Sequence, residues 1–186
     1  FSYNIQQNAI TQNNTIDPVT GKRTYFPVNI NGNRSWFLWS NYNKGGGNKK
    51  LEYGFGLNGS GNKFNNFVNG QQAVTRSFAV GMELSLGYEV ENKFEINLLP
   101  RIGYNKSKSS FSNSINNNYF TYGGRAEADI DLPWKMEFNT NLNADLRQKI
   151  QAFASNTNLV VWNAGLSKKI FKKDVGKIGL YVNDIL

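Results

Sequence analysis

The carboxylates are the first residues of this chain that could do chemistry. Glu127, Asp129 and Asp131 recur at alternate positions with Arg125 beside them. Oxygen-rich sets of this kind bind hard cations such as calcium. On a strand, however, successive residues of one face lie about 7 Å apart, too far for a single coordination shell. The spacing instead favours an ion-paired network with Arg101, Arg125 and Arg147. Glu137 and Asp145 form a second candidate pair, of the type used in acid–base cleavage. They are eight residues apart, so one strand would separate them by roughly 26 Å, and they cannot share a substrate bond. Gly54 to Gly59 spells G-x-G-x-x-G. That motif binds dinucleotides only between a strand and a helix, and these glycines alternate with Tyr53, Phe55 and Leu57 within a strand pattern. Their expected role is to leave room on the polar side.

The sequence contains no His and no Cys. That excludes the usual zinc sites, thiol nucleophiles and mechanisms with a histidine base. The expectation is a protein that is not an enzyme, with no metal and no cofactor. The net charge is +8, which raises nucleic acid as a partner. Many lysines fall near turns, including Lys44, Lys93, Lys135 and Lys177, and no basic helix or RNA-binding motif is present. No nucleic-acid partner is expected.

The elements that would hold these side chains are strands. In residues 78–90, Phe78, Val80, Met82, Leu84, Leu86, Tyr88 and Val90 are apolar, and the alternate set includes Glu83 and Glu89. The pattern restarts at Phe94, with Glu95 and Arg101 on its polar side. Period-two alternation of this length predicts strands. Nine are predicted, at about 1–9, 34–43, 50–58, 76–90, 94–107, 118–132, 136–149, 158–171 and 177–184, with 24–31 a candidate extension of the second. No amphipathic helix is expected. Short connections alternate with long ones, here 10–33, 59–75, 108–117 and 150–157, which describes an up-and-down meander with all tight turns at one end. Turn chemistry agrees at Gly45-Gly46-Gly47-Asn48, Asp17-Pro18-Val19-Thr20-Gly21 and Asp174-Val175-Gly176-Lys177.

Nine of the thirteen acidic residues fall on the polar side of this pattern: Glu52, Glu83, Glu89, Glu95, Glu127, Asp129, Asp131, Glu137 and Asp145. Two environments accommodate such a sheet. A soluble barrel or sandwich turns its apolar side inward; a membrane barrel turns it to lipid and encloses the polar side in a lumen. The predicted strands exceed the usual soluble length of about 5–6 residues and suit a tilted bilayer crossing. Small residues at Gly124, Ala126 and Ala128 suit a lipid-facing band. Tyr88, Phe94 and Trp134 near short turns, with Tyr104 and Phe120 nearer long loops, resemble interfacial girdles. The expected fold is therefore all-β, an antiparallel up-and-down transmembrane β-barrel. Its lumen-facing polar network would comprise Glu83, Glu95, Arg101, Arg125, Glu127, Asp129, Asp131, Glu137, Asp145 and Arg147.

Two features stay open at this level. Lys168 continues the apolar set of 158–171, so either its stem reaches the headgroups or a bulge changes the face. The Asn- and Gly-rich segment 58–72 carries Phe64 and Phe67, and reads either as a mobile surface loop or as a loop with ligand contacts at those two rings.

Longer stretches carry a family resemblance. "TIDPVTGKRTYFPVNINGNRSWFLWSNYNK" looks like a long loop leading into a strand, and "FEINLLPRIGYNKSKSS", "DLPWKMEFNTNLNADLR", "NLVVWNAGLSKKIFKK" and "GLYVNDIL" look like later strands. In these the chain resembles the C-terminal barrel portion of TonB-dependent-receptor-like outer-membrane proteins of the Bacteroidota. The resemblance implies that residues 1–186 are one barrel segment, about nine strands of a larger barrel, lacking an N-terminal plug and the last strand. It implies uptake of a nutrient ligand across the outer membrane of a Gram-negative bacterium. Its partners would be the lipid bilayer and, through segments outside this sequence, a plug domain and a TonB-type energy-coupling protein. The alternative is a small self-contained outer-membrane barrel serving as anchor, adhesin or pore.

Overall fold

The computed structural model describes residues 1–45, 50–68, 70–110, 117–150, 158–171 and 175–185. The turns expected at Gly45–Asn48 and Asp174–Lys177, and the connections around 111–116 and 151–157, lie wholly or partly outside them. The described strands are β1 (Ser2–Gln6), β2 (Ala9–Ile16), β3 (Arg23–Ile30), β4 (Asn33–Lys44), β5 (Leu51–Val68), β6 (Gln71–Val90), β7 (Phe94–Ser109), β8 (Asn117–Leu132), β9 (Met136–Arg147), β10 (Leu159–Ile170) and β11 (Gly176–Val182). They form one sheet in the order β1-β4-β5-β6-β7-β8-β9-β10-β11, with the β2–β3 hairpin attached to β5. The wall from β4 to β11 is antiparallel throughout. The sheet is open: among the described residues, β1 pairs only with β4 and β11 only with β10.

Eleven strands replace the nine expected, and the differences concentrate at one end. Ala9–Ile16 is a strand paired with Arg23–Ile30, where the sequence predicts a loop from 10 to 33 with 24–31 a candidate extension of β4. The segment read as a loop from 59 to 75 is instead the continuation of β5 and β6, paired as far as Val68 opposite Gln71. Gly and Asn disfavour strands in isolation. Here the ladder already formed below 58 extends upward and supplies the backbone partners that local composition does not. A hairpin signal was present: Asn69-Gly70 is the dipeptide preferred in two-residue hairpin turns, and Gly70 has φ of 74°.

The wall is staggered. Lys44, at the end of β4, stands in a row with Tyr53, Leu86, Leu98, Ala126, Leu142 and Trp162. Trp162 is still eight residues short of Ile170, where β10 ends. Eight residues at about 3.3 Å, across six strand spacings of about 4.8 Å, give a tilt of about 40°. That is the tilt of strands in membrane barrels. Pro100 interrupts the β6–β7 ladder opposite Leu84-Ser85, and pairing resumes on either side in the same register, because proline removes only its own donor.

Candidate functional site

Alternation in each strand, combined with this register, sorts the side chains onto two faces. The apolar face is not packed into a core, and a membrane barrel turns such a face outward to lipid. Phe78, Val80, Met82, Leu84 and Leu86 are 38% to 43% exposed, whereas the buried apolar residues among those described are only Ala9, Ile30 and Ala73. A folded soluble chain of 21.0 kDa exposes about 9,000 Å²; this one exposes 13472 Å². No described helix is long and apolar enough to cross a membrane. The outward apolar band ends in aromatic pairs at both edges. Trp36 meets Phe78 at 5.9 Å and Tyr104 meets Phe120 at 5.0 Å towards the long connections, while Tyr88 meets Phe94 at 5.8 Å beside the short turn. Phe78 and Tyr88 are ten residues apart on β6. At the observed tilt that is about 25 Å along the barrel axis, the height of a membrane barrel's apolar band.

The other face collects every residue of the expected polar network. Glu83 stands opposite Arg101, Arg101 opposite Gly123, and Gly123 opposite Asp145. Register thus leaves only a glycine between Arg101 and Asp145, and the two form an ion pair across it. Arg125 pairs with Glu127 on its own strand. Glu95 stands opposite Asp129, and Asp131 opposite Glu137. Glu137 is held by Lys177 and by Lys169, the latter at 2.5 Å; the sequence reading missed both lysines. The Arg147 guanidinium lies 5.7 Å from the Tyr119 ring centroid. Glu89, expected on this face, stands opposite Glu95, which makes Glu89, Glu95 and Asp129 a row of three carboxylates on adjacent strands. Among the described residues no acidic group of three is placed to hold a metal ion. Amide pairs extend the network, with Asn163 donating to Asn141 at 3.0 Å.

Lys168 settles its own ambiguity. The β9–β10 ladder runs without a skip from Leu159 to Lys168, which stands opposite Met136. There is no bulge there, and Lys168 is on the apolar face at the short-turn edge, where a lysine stem is long enough to carry its charge to the headgroups.

Phe64 and Phe67 correct the loop reading. Both lie on β5, not on a loop. With Tyr25, Phe26, Ile10 and Pro27 of the β2–β3 hairpin they line a cavity of about 740 Å³. The hairpin is fixed to β5 by the pairing of Asn13 and Asn14 with Phe67 and Val68, and Asn65 ties β5 to the chain just after β3: its backbone N–H donates to Asn33 Oδ1 at 2.8 Å and its Nδ2 donates to the Asn31 carbonyl at 2.9 Å. At the hairpin tip, Asp17 Oδ1 accepts from the Val19 and Thr20 amides at 2.8 and 3.1 Å. Those bonds hold the Asp17 carboxyl below its ordinary range.

An outward apolar band with aromatic edges, an ion-paired opposite face and strands tilted about 40° define the wall of a membrane-spanning β-barrel. The model of the outer membrane protein beta-barrel family matches residues 65–186, and the chain belongs to that family. Its place is the outer membrane. No curated protein and no solved structure matches the chain.

Proposed function

We propose that this chain is part of an outer-membrane receptor of the TonB-dependent type from a member of the Bacteroidota, which captures a nutrient ligand at its outer end and passes it through the lumen. The observation that carries the reading is the aromatic cavity between the β2–β3 hairpin and upper β5. It lies beyond the loop-side girdle and is lined by Tyr25, Phe26, Phe64 and Phe67. Aromatic rings in a concave site bind ligands through large contact area and stacking. The ion-paired polar face supplies a wet path below it. The open sheet supports a wall with further strands, a plug and an energy-coupling partner supplied by other segments. Catalysis has no place in this reading, because the sequence offers no His or Cys to serve as base or thiol.

The test is the intact mass of the protein extracted in detergent from its native envelope, together with co-purification of a TonB-type protein. A mass several-fold above 21.0 kDa with that partner bound is the expected result. A closed monomer near 21.0 kDa without it would overturn the uptake reading in favour of an anchor, adhesin or small pore.

A further inference from the structure

We propose that the outer wall carries a binding site for the phosphate groups of a phosphorylated outer-leaflet lipid, formed by Arg34, Lys63, Arg76, Lys106 and Lys108. Register brings these residues together on the apolar, outward face. Arg34 stands opposite Lys63, Lys63 opposite Arg76, and Arg76 opposite Lys108, in one row across four strands. Lys106 stands opposite Phe78 one step below. The row begins two residues beyond the loop-side girdle on each strand: Arg34 beyond Trp36, Arg76 beyond Phe78, Lys106 beyond Tyr104. At the observed tilt that is about 5 Å above the rings, the level of lipid headgroups. In such barrels the long connections face outward and the short turns face the periplasm, so the row meets the outer leaflet.

Cations placed directly opposite one another on adjacent strands repel. Among the described residues no carboxylate pairs with any of these five. The ion pairs Arg101–Asp145, Arg125–Glu127 and Glu137 with Lys169 and Lys177 all belong to the opposite face. Among the described residues the row therefore has no counter-anion. Beside it is a cavity of about 530 Å³ lined by Arg76, Lys106, Lys108 and Ser110, with Phe78 in its wall. Cations above and a ring below match an amphiphile whose phosphate sits at the rim and whose acyl chains run down the apolar band. Lys and Arg bind phosphate through charge-assisted hydrogen bonds, and basic clusters at this level bind anionic headgroups. The site needs only the membrane placement, not the uptake reading, so either can fail without the other.

The test uses the protein purified in detergent, with native mass spectrometry of bound lipid. The probes are a diphosphorylated acylated glucosamine disaccharide, the same lipid without its phosphates, and inorganic phosphate. The wild type should retain the phosphorylated lipid in preference to the other two. The variant R76Q/K106Q/K108Q should bind it about a hundredfold more weakly, at about fivefold per charge removed. The variant K44Q/K168Q, altered at the opposite rim, should bind as the wild type does. If the triple variant fails to fold, the single Lys108→Gln change should still show the fivefold loss. Unchanged binding in the variants, equal binding of the dephosphorylated lipid, or free phosphate binding as tightly as the lipid would each overturn the proposal.

Discussion

Single residues act here chiefly through which face they occupy and what their backbone requires. Gly61 stands opposite Phe78, and a Cβ there would collide with the Trp36 indole. The glycine thus leaves the space in which the girdle ring lies. Asn92, in the three-residue turn after β6, has φ of 57°, a conformation that Asn tolerates better than most residues. Asp17 makes a testable case because it lies in the hairpin tip, outside the membrane band. Its folded carboxyl titrates below its unfolded value, so its stabilisation is complete above the unfolded value and disappears as pH falls through the folded one. A carboxyl NMR titration should place Asp17 below ordinary aspartates, and protease nicking of residues 17–21 should rise only at the acid end of the range. Asp17→Ala should show that nicking at neutral pH; equal protection in the two proteins would refute the role.

Among the elements, the β2–β3 hairpin and the upper β5–β6 hairpin carry the candidate ligand site, and Asn65 anchors the chain that leaves the β2–β3 hairpin to β5. Asn65 is 1% exposed and bonds to both Asn31 and Asn33. Removing its side chain leaves the Asn31 carbonyl without that donor, a loss of about 1–3 kcal/mol. Asn65→Leu should therefore raise hydrogen exchange across Ala9–Ile30 by one to two orders of magnitude, roughly what that cost implies. Exchange in β7–β9 should be unaffected. A uniform rise over the whole wall would show that the hairpin is not a separate unit. These elements were the least legible in the sequence. β2 reads AITQNNTI and upper β5 reads GSGNKFNNFV, and neither shows the alternation that marks β6. Their strand state comes from pairing with neighbours, which local composition does not record, although the Asn-Gly step at 69–70 marked the turn.

The whole molecule is a wall with an apolar outside, and this predicts an asymmetry between neighbouring residues. Met82→Arg puts a charge in the middle of the lipid-facing band and should cost about 2–4 kcal/mol of folding stability in vesicles. Ala79→Arg, three residues away on the polar face between Ser60 and Asn105, should cost less than about 1 kcal/mol. Denaturant titration of folding into lipid vesicles measures both. A penalty at Ala79 as large as that at Met82 would refute the assignment of the apolar face to lipid.

The sequence by itself determined which face each strand residue occupies, because side chains alternate with period two and that rule needs no partner. Hence the apolar band of β6, the polar set from Glu83 to Arg147 and the edge aromatics were legible before any fold was known. Only the tertiary structure decided which residues of a face become neighbours. Register is fixed between strands, by turn length and ladder pairing, so it alone set Arg101 and Asp145 across Gly123, placed Lys169 and Lys177 on Glu137, and lined up Arg34, Lys63, Arg76 and Lys108. It likewise turned a supposed loop into the strand that carries Phe64 and Phe67, because hydrogen bonds from an adjacent strand can hold a segment whose own side chains do not favour extension.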